Sequence, residues 1–332
     1  MRRNDVEFPT PTKASRCYDN TKLSGYKTCP RFHFIRQTLG WRKVGTGTAL
    51  VFGSAWHGGQ DELWANKDKY GKRDLAEVAH LGFIAEWEKA GLDPEPGLQM
   101  SEQLAPRTPS IAREMYHEYV AARWKMLQGC EVLAVEQPFA VPLPDMEDFW
   151  YVGRLDKVIQ HGPMKLIIEH KTTTAYATIG NFRTDYIDSW FSDSQVKGYQ
   201  FGGQLYYPGL DAVWVDAALV HKKIHNAFRL VPVAHSVPLL VEWVGDAKQW
   251  AIRVSEEEDK FRRCGELEPG DFPKNENSCF GKYGSCSFID ICRTTADPSK
   301  LDGPPEGFMV DPWEPYSMFE LDKIIKEPGE VT

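Results

Sequence analysis

The chain begins with segments whose apolar residues recur at the spacing of an amphipathic helix. The first segment contains a Cys-Pro pair near its middle, which predicts a short helix, a turn and a second helix. The later segments each end at a glycine, as helices often do. Helical structure is therefore predicted over 21–41 (helix, turn, helix), 52–71, 72–91 and 110–129.

From residue 130 onward, apolar and polar residues alternate, which is typical of strands with one buried face. Later in the chain, helical and strand-like patterns follow one another. Strands are predicted over 130–143, 149–160 and 164–173, then a helix over 192–209, strands over 211–223 and 227–236, and a long helix over 238–265. This order predicts an α/β fold in which helices flank a central mixed sheet.

These patterns also predict four regions. They are an N-terminal helical region over 1–129, a core over 130–265, a cysteine-bearing segment over 266–295 that packs back on the N-terminal region, and a tail over 296–332. The tail is rich in proline and acidic residues, so we expect it to be loosely ordered. No low-complexity linker separates the regions, and we expect one integrated domain.

The net charge of −8 is unevenly distributed. Residues 1–45 carry ten Lys and Arg against three Asp and Glu, which leaves −15 for the rest of the chain. An acidic body argues against broad binding to polyanions, whereas the basic beginning offers a local phosphate-binding surface. For the first dozen residues we prefer solvated charge in a partly disordered segment.

The composition predicts neither a membrane span nor a secretory signal. No run of about 18 apolar residues occurs, and no apolar stretch follows the arginines at the beginning of the chain. We therefore expect a cytoplasmic protein without a membrane partner, in the host cytoplasm if it is phage-encoded.

Three charged residues interrupt the apolar pattern of the second and third predicted strands. If the turn between them centres on Gly162-Pro163, Asp156 lies directly opposite Glu169, and Lys171 projects from the same face. Opposed Cβ atoms are roughly 4.5–5.5 Å apart, so the two carboxylates repel unless one is protonated or a cation lies between them. A divalent cation such as Mg²⁺ suits this pair. An exposed face of mixed charge is the alternative.

Several short motifs accompany this hairpin in a fixed order. They are a Gly-x-x-x-His helix at Gly53–His57, a Gly-x-x-Asp strand at Gly153–Asp156, a Glu-x-Lys strand at Glu169–Lys171 and a Gln-x-x-x-Tyr helix at Gln195–Tyr199. Over about residues 20 to 295 the chain resembles the PD-(D/E)XK nuclease superfamily. It is most similar to the RecB-like branch, which includes the AddB nuclease domain, CRISPR-associated RecB-like exonucleases and many phage exonucleases.

The resemblance implies a metal centre. His57, Asp156 and Glu169 would hold one or two Mg²⁺ or Mn²⁺ ions, and His170 would contribute its backbone carbonyl only, because its side chain is expected on the other face. Glu136 resembles the acidic residue of the preceding strand, although a strand-edge charge accounts for it about equally well. Gly58 and Gly59, which follow the histidine, leave room for another backbone or for DNA.

The resemblance also implies catalytic residues that do not bind metal. Lys171 would position a water or offset charge on the phosphate. Gln195 and Tyr199, one helical turn apart, would bind phosphate or orient this lysine. Helix packing is the alternative role for this pair, and Gln204 with Tyr207 is a competing assignment.

A second candidate centre is a group of cysteines near the end of the chain. Cys279, Cys286 and Cys292 lie within fourteen residues, which is typical of a metal site in a reducing compartment. A fourth ligand is needed, and Cys29 is the candidate. The resemblance implies a structural [4Fe-4S] cluster, because RecB-like nucleases with such a cluster have one upstream and three downstream cysteines. The six-residue gap departs from the common two, and structural Zn²⁺ is the alternative.

Other cysteines and aromatic residues have less specific expectations. We expect Cys17, Cys130 and Cys264 to be packing residues, with Cys17 as the substitute ligand if Cys29 is not one. The aromatic side chains of Trp56, Trp190 and Tyr199 are candidates for stacking on unpaired bases. Core packing is their alternative role, and we favour it for at least one of them.

Taken together, the motifs imply a metal-dependent DNA exonuclease that hydrolyses phosphodiester bonds in phage or bacterial replication, recombination or repair. The expected partners are DNA, single-stranded or as ends, and recombination or replication proteins. Two alternatives stay open: a structure-specific or single-strand endonuclease, and a non-catalytic DNA-binding or assembly protein that retains the fold. The complete set of Asp, Glu, Lys and His argues against the second.

Overall fold

The computed structural model describes residues 11–12, 15–45, 47–178, 181–281 and 284–319. Residues 1–10, for which we expected partial disorder, lie outside these ranges. Residues 320–332 of the predicted tail do so as well. Within the described ranges, no helix combines the length and the apolar character that crossing a bilayer requires.

The helices and strands of the described ranges are as follows. The α-helices are α1 (Asn20–Thr28), α2 (Pro30–His33), α3 (Thr48–Asn66), α4 (Lys72–Lys89), α5 (Leu98–Leu104), α6 (Pro109–Gln128), α7 (Thr184–Ser189), α8 (Ser194–Tyr206), α9 (Val237–Cys264) and α10 (Ile289–Thr294). The strands are β1 (Arg16–Tyr18), β2 (Trp41–Lys43), β3 (Cys130–Pro142), β4 (Phe149–His161), β5 (Met164–Thr173), β6 (Tyr176–Thr178), β7 (Asn181–Phe182), β8 (Leu210–Leu219), β9 (Phe228–Val233), β10 (Phe280–Gly281), β11 (Gly284–Ser285) and β12 (Phe308–Val310). A π-helical turn spans Phe34–Thr38, and 3-10 turns span Glu276–Ser278 and Pro298–Lys300.

The predicted succession of helices and strands is confirmed, with bounds that differ by a few residues. The helix, turn and helix predicted over 21–41 are present, because Cys29 has an extended backbone between α1 and α2. Sequence patterns missed α5, α7 and the shortest strands. These elements have only two to seven residues, which is too short for a periodic pattern to appear.

The central sheet is mixed, as predicted. Its strands lie in the order β1-β4-β5-β8-β9, and β3 also pairs with β4. The β1–β4 and β5–β8 pairs are parallel, whereas the β4–β5 and β8–β9 pairs are antiparallel. Because α3 and α8 pack on β5, the sheet carries helices, and the predicted α/β class is confirmed.

The chain divides into two compact units. Unit 1 comprises the described parts of Met1–Gly45, Ala140–Gly153 and Pro238–Thr332, and unit 2 those of Thr46–Phe139 and Arg154–Val237. Each unit therefore combines separate stretches of the chain. The division predicted from the sequence, with limits after residues 129, 265 and 295, stays a prediction.

The core of unit 2 forms where α3, α4 and α6 meet β4, β5 and β8. Gly59 permits close helix packing, because a Cβ there would lie 2.5 Å from the carbonyl oxygen of Ala79 in α4. The Gly58-Gly59 pair thus allows another backbone to approach closely, which was one of the two roles expected for it. Trp56 is fully buried and stacks on Tyr116 with ring centroids 4.3 Å apart. It belongs to the core, which was the alternative role, because it lies on the apolar face of α3.

In unit 1, the described part of the tail is ordered, contrary to the prediction. β12 pairs antiparallel with β2, and the hydroxyl of Tyr316 donates to the carbonyl of Ser15 at 2.6 Å. Trp313 and Tyr316 pack against the buried Cys17. Proline and acidic content did not reveal this strand, because its partner lies near the beginning of the chain.

The packing cysteines are partly as predicted. Cys17 and Cys130 are buried, whereas Cys264 is exposed. The prediction for Cys264 was wrong because this residue ends α9 directly after two exposed arginines. Burial raises the pKa of the Cys17 thiol to about 11.

A buried charge network fixes α9 within unit 1. Glu258 Oε1 lies 3.0 Å from His33 Nε2 and 3.2 Å from Lys22 Nζ. Burial alone would raise the pKa of Glu258, but the hydrogen bond with His33 and the ammonium of Lys22 lower it to about 2. The carboxylate is thus more acidic in the folded chain than in the unfolded one.

This network predicts a dependence of stability on pH. Because the folded-state pKa of Glu258 lies below the unfolded value near 4.5, its contribution is complete above pH 4.5 and is lost as the pH falls toward 2. The loss amounts to about 3 kcal/mol in the free energy of unfolding. Urea titrations at pH 5 and pH 2.5 should show that Glu258→Gln reduces the acid sensitivity. Glu256→Gln, on the exposed side of α9, should retain it, and equal sensitivity in both variants would contradict the assignment.

Candidate active site

The β4–β5 hairpin has the register that the sequence predicts. Lys157 lies opposite Ile168, and the ladder continues from there to the turn. Gly162 in the turn has a φ of +58°, which glycine adopts at little cost. Asp156 and Glu169 are the next positions beyond this paired segment, and both side chains are buried.

Three elements of unit 2 bring His57, Glu136 and Asp156 together. Nδ1 of His57, on α3, lies 3.2 Å from Asp156 Oδ2 on β4. Glu136 on β3 has a φ of +48°, and such strain in a non-glycine residue is typical of functional sites. One ligand atom from each residue lies within 4.8 Å of the other two, a grouping that no other His, Cys, Asp or Glu residues of the described ranges form.

Glu169 and Lys171 extend this group along β5. The Nζ of Lys171 lies 2.5 Å from Glu169 Oε1. The other oxygen, Oε2, is buried and has no hydrogen-bond partner among the described residues. A buried carboxylate oxygen without a donor is rare in folded proteins, and it is an available ligand for a hard cation.

The electrostatics of the site also suit a cation. Burial, together with the Asp156 carboxylate, raises the pKa of Glu169 to about 7. Burial, Asp61 and Asp156 raise the pKa of Glu136 to about 7. Burial acts on Asp156 in the same direction, but His57 outweighs it and holds the pKa of Asp156 well below its usual range. The carboxyl groups are too close to be ionised together unless positive charge is added.

A hydrogen-bonded chain leads from Lys171 to α8. The lysine Nζ donates to Gln195 Oε1 at 3.1 Å, and Gln195 Nε2 donates to the Tyr199 hydroxyl at 2.7 Å. The competing pair lies elsewhere, because Gln204 donates to a backbone carbonyl and Tyr207 contacts Gln137. Of the two Gln/Tyr assignments, only the first joins Lys171, through Gln195, to a tyrosine hydroxyl.

The side chain of His170 belongs to the core. Its ring is fully buried, with centroid distances of 6.2 Å to both Trp64 and Tyr119, and burial lowers its pKa. Its backbone N–H donates to Asp156 Oδ2 at 2.9 Å. The residue therefore touches the site through its main chain, and the imidazole is a neutral packing group.

Three residues of the site were missed by the sequence reasoning. Lys157 is fully buried, and its Nζ lies 2.5 Å from Asp61 Oδ1 and 3.9 Å from Glu136 Oε1. Arg154 Nε donates to the other oxygen of Glu136 at 2.6 Å. Asp61 follows His57 by four residues on α3, so helical spacing alone places both on one face. That spacing was the signal available in the sequence.

The ion pair between the fully buried Lys157 and the half-buried Asp61 should matter for stability. Asp61→Asn leaves a buried ammonium without its nearest carboxylate, and Lys157→Met leaves Asp61 without its cation. We expect each change to lower the free energy of unfolding by about 3 kcal/mol, and the double change to cost clearly less than the sum. Urea unfolding of the four proteins measures this coupling, with the exposed Glu88→Gln on α4 as a control. Strictly additive effects would show that the pair does not interact energetically.

The four cysteines of the predicted cluster lie together in unit 1. Cys29 lies between α1 and α2, Cys292 lies in α10, and Cys286 N donates to Cys279 O at 2.8 Å across the β10–β11 hairpin. Burial raises the pKa of the Cys286 thiol, with further increases from Cys29 and Cys279. Burial also raises the pKa of Cys292, where Cys286 and Cys29 act in the same direction. The four thiols are thus close enough for the charge of one to affect the pKa of another.

The sulfur atoms are nevertheless not packed as tightly as around one ion. No three of the four lie within 4.8 Å of one another. A tetrahedral zinc site with Zn–S bonds of about 2.3 Å requires S–S separations of about 3.8 Å. The surrounding backbone is held independently of any metal, because the guanidinium of Arg31 donates to the carbonyls of Asp271, Phe272 and Ala296.

A model of the PD-(D/E)XK nuclease superfamily matches residues 20–293. Among solved structures, the chain is similar to a candidate exonuclease from Eubacterium rectale (13% identity, TM-score 0.45), with 92% of this chain and 97% of that one covered. It is also similar to the alkaline exonuclease LHK-Exo from Laribacter hongkongensis (14% identity, TM-score 0.29; 62% and 91% covered) and to the complex of LHK-Exo with dAMP (14%, 0.28; 64% and 95%). No curated protein matches the chain.

The family match covers the whole candidate site. It begins in α1 and ends within α10, so it includes the acidic hairpin, the histidine helix and the lysine that contacts α8. The match spans most of the chain. The protein belongs to the PD-(D/E)XK nuclease superfamily.

Proposed function

We propose that the protein is a metal-dependent deoxyribonuclease of the RecB-like branch that acts as an exonuclease on DNA ends. The observation that carries this proposal is the setting of Lys171. Its Nζ lies between Glu169 and Gln195, beside a buried carboxylate oxygen that has no donor among the described residues. Membership of a nuclease superfamily supports phosphodiester hydrolysis as the reaction.

The proposed metal ligands are side chains of His57, Asp156 and Glu169. The backbone carbonyl of His170 would complete the protein ligands, with Glu136 as an accessory one. The residues fit Mg²⁺ or Mn²⁺, because carboxylate oxygens dominate. The three ligand atoms that lie within 4.8 Å of one another belong to His57, Glu136 and Asp156, and Glu169 offers a buried Oε2 that has no donor among the described residues. Such an ion lowers the pKa of a bound water and offsets charge on the phosphate.

The other residues of the site act on the reacting groups through hydrogen bonds. The ammonium of Lys171 has three donors and no acceptor. Two contacts with Glu169 and Gln195 leave a donor for the attacking water or for a phosphate oxygen. The Tyr199 hydroxyl holds Gln195 in place, and this restraint fixes the lysine before substrate binds.

We further propose that Cys29, Cys279, Cys286 and Cys292 hold a [4Fe-4S] cluster with a structural role. The support is their proximity and the arrangement of one upstream and three downstream cysteines. Anaerobic purification followed by visible absorption and iron and sulfide analysis tests this assignment. A colourless protein loaded with zinc would favour the Zn²⁺ alternative.

We place the activity in the cytoplasm, in replication, recombination or repair of bacterial or phage DNA. The support for this setting is the ordered set of RecB-like motifs between Gly53 and Tyr199. Recombination or replication proteins are the proposed protein partners. Co-purification of the tagged full chain with such proteins from cells undergoing DNA damage measures this part of the proposal.

The mode of action is tested with DNA labelled at one end. Single- and double-stranded oligonucleotides with 5′ or 3′ labels are digested with Mg²⁺ or Mn²⁺, and circular single-stranded DNA is digested in parallel. An exonuclease shortens the linear substrates stepwise and leaves the circle intact. Cleavage of the circle would favour the endonuclease alternative. Binding without cleavage, with clean protein and either metal, would favour the non-catalytic alternative and overturn the proposal.

A further inference from the structure

A row of aromatic side chains leads up to Lys171 in unit 2. Phe182 on β7 stacks on Tyr186 with ring centroids 6.1 Å apart and an interplanar angle of 18°. Tyr186 meets Trp190 at 5.5 Å, edge to face. The Trp190 ring in turn lies 6.0 Å from the Nζ of Lys171. These three residues, which we call the aromatic row, thus end at the catalytic lysine.

Packing within the fold does not account for the aromatic row. Its three side chains are only half-buried, and none belongs to the core cluster of unit 2 or to the residues packed against it. The Trp190 indole Nε1–H is shielded from solvent and has no acceptor among the described residues. A buried donor left in this state costs about 1–3 kcal/mol. Trp56 and Trp64 leave the same atom unpaired within the core, whereas Trp190 lies at the edge of the candidate site, where a bound ligand could reach it.

The charges around the row indicate which part of DNA it contacts. The neighbouring Asp185 and Asp188 are exposed, and the nearby Arg183 donates to Asp185. These residues include one more acidic than basic side chain, so the surface offers little attraction to the phosphate backbone. Aromatic faces, in contrast, bind nucleobases by stacking, with about 1–3 kcal/mol per base and little sequence preference. The row therefore suits the bases of a strand whose phosphates run toward the metal ligands.

We propose that Phe182, Tyr186 and Trp190 form a stacking surface for the unpaired bases of a single-stranded DNA end. Trp190 binds the nucleotide next to the scissile phosphate, since it is the residue of the row that lies beside Lys171. Bases in a duplex already stack on their neighbours, so this surface favours frayed or single-stranded ends. The inference rests on the proposed nuclease function and adds the class of DNA that the site accepts.

The test compares oligonucleotides that differ only in bases near the cleaved end. One single-stranded substrate is intact, and the other carries abasic tetrahydrofuran residues at its terminal nucleotides. For the wild-type protein we expect kcat/KM to be roughly 5- to 150-fold higher on the intact strand. Trp190→Leu should bring this ratio close to one, whereas Trp190→Phe should keep most of it. Tyr70→Leu, which changes an exposed aromatic residue outside the row, should leave the ratio unchanged.

A binding measurement accompanies the kinetics. An oligonucleotide with terminal 2-aminopurine is mixed with protein in EDTA, and stacking on the row should quench its fluorescence for the wild type but much less for Tyr186→Leu or Trp190→Leu. If the wild type cuts both substrates with equal kcat/KM, or if Trp190→Leu lowers both rates by the same factor, the stacking proposal is wrong. If neither substrate is cut by the wild type, the nuclease proposal itself has failed.

Discussion

Lys171→Ala is expected to reduce the rate of DNA cleavage about 100- to 1,000-fold and to leave the fold unchanged. The Nζ of this lysine is held by Glu169 and Gln195, so its remaining donor is fixed in direction before substrate binds. Loss of one preorganised donor that faces developing charge typically costs about 10²–10³ in kcat. Alanine also removes the positive charge nearest to Glu169, and a water that replaces the ammonium restores neither its charge nor its position.

The measurement is the single-turnover cleavage rate of end-labelled DNA with Mg²⁺ and with Mn²⁺. Lys165→Ala is the matched control, because this lysine lies on the same strand and contacts the carbonyl of Pro208 away from the site. Circular dichroism and urea unfolding of both variants report on the fold. Lys171→Arg should also be nearly inactive, since a planar guanidinium does not reproduce the compact ammonium. Cleavage near the wild-type rate in Lys171→Ala would refute the assignment of this lysine.

The sequence predicted those parts of the fold that depend on local pattern. The ladder that begins with Lys157 opposite Ile168 followed from alternation and a Gly-Pro turn. The long helices followed from periodicity and terminal glycines. The strand β12 could not be predicted, because its pairing with β2 joins distant parts of the chain. Local composition contains no information about such a partner.

The candidate site was predictable to the extent that charged residues occupy apolar strands. Asp156 and Glu169 were visible in this way. Lys157 was not, although it is charged and fully buried, because its role depends on Asp61, whose position relative to the strand follows only from the packing of α3. Trp190 presents the opposite case. Its stacking role was an expectation from residue type alone, and the neighbouring rings that give it a direction lie on β7 and α7, which are too short to predict.

Three strained or unsatisfied groups of unit 2 lie at the candidate site or its edge. Glu136 has a left-handed backbone, Glu169 Oε2 lacks a donor and Trp190 Nε1 lacks an acceptor among the described residues. Each of these costs stability in the free protein. All three are close to where the ligands would bind, so metal and DNA binding would offset destabilising contributions that remain in the folded protein without ligands. We therefore expect the two ligands to raise the unfolding temperature when added together.

Replacement of Cys29 by serine is expected to abolish the visible absorption of the proposed cluster and to lower the melting temperature by more than about 10 °C. A structural metal group is bound only by the folded chain, so its binding free energy adds to stability, and loss of one of four thiolates removes most of that contribution. Cys29 lies at the junction of α1 and α2, where its Sγ also accepts from Asn275 N at 3.4 Å. Cys286→Ser should have the same effect, because Cys286 is another of the four proposed ligands.

The chain provides its own controls for this experiment. Cys264→Ser changes an exposed thiol at the end of α9 and should alter neither absorption nor melting temperature. Cys17→Ser changes a buried thiol that packs with Ala140 and Val152, so it should lower the melting temperature through lost packing and leave the absorption intact. The two measurements thus separate ligation from packing, which a stability measurement alone does not. If Cys17→Ser removed the absorption and Cys29→Ser retained it, Cys17 would be the fourth ligand, and the tie between α1, α2 and the C-terminal segment would depend on Arg31 and its three carbonyl partners.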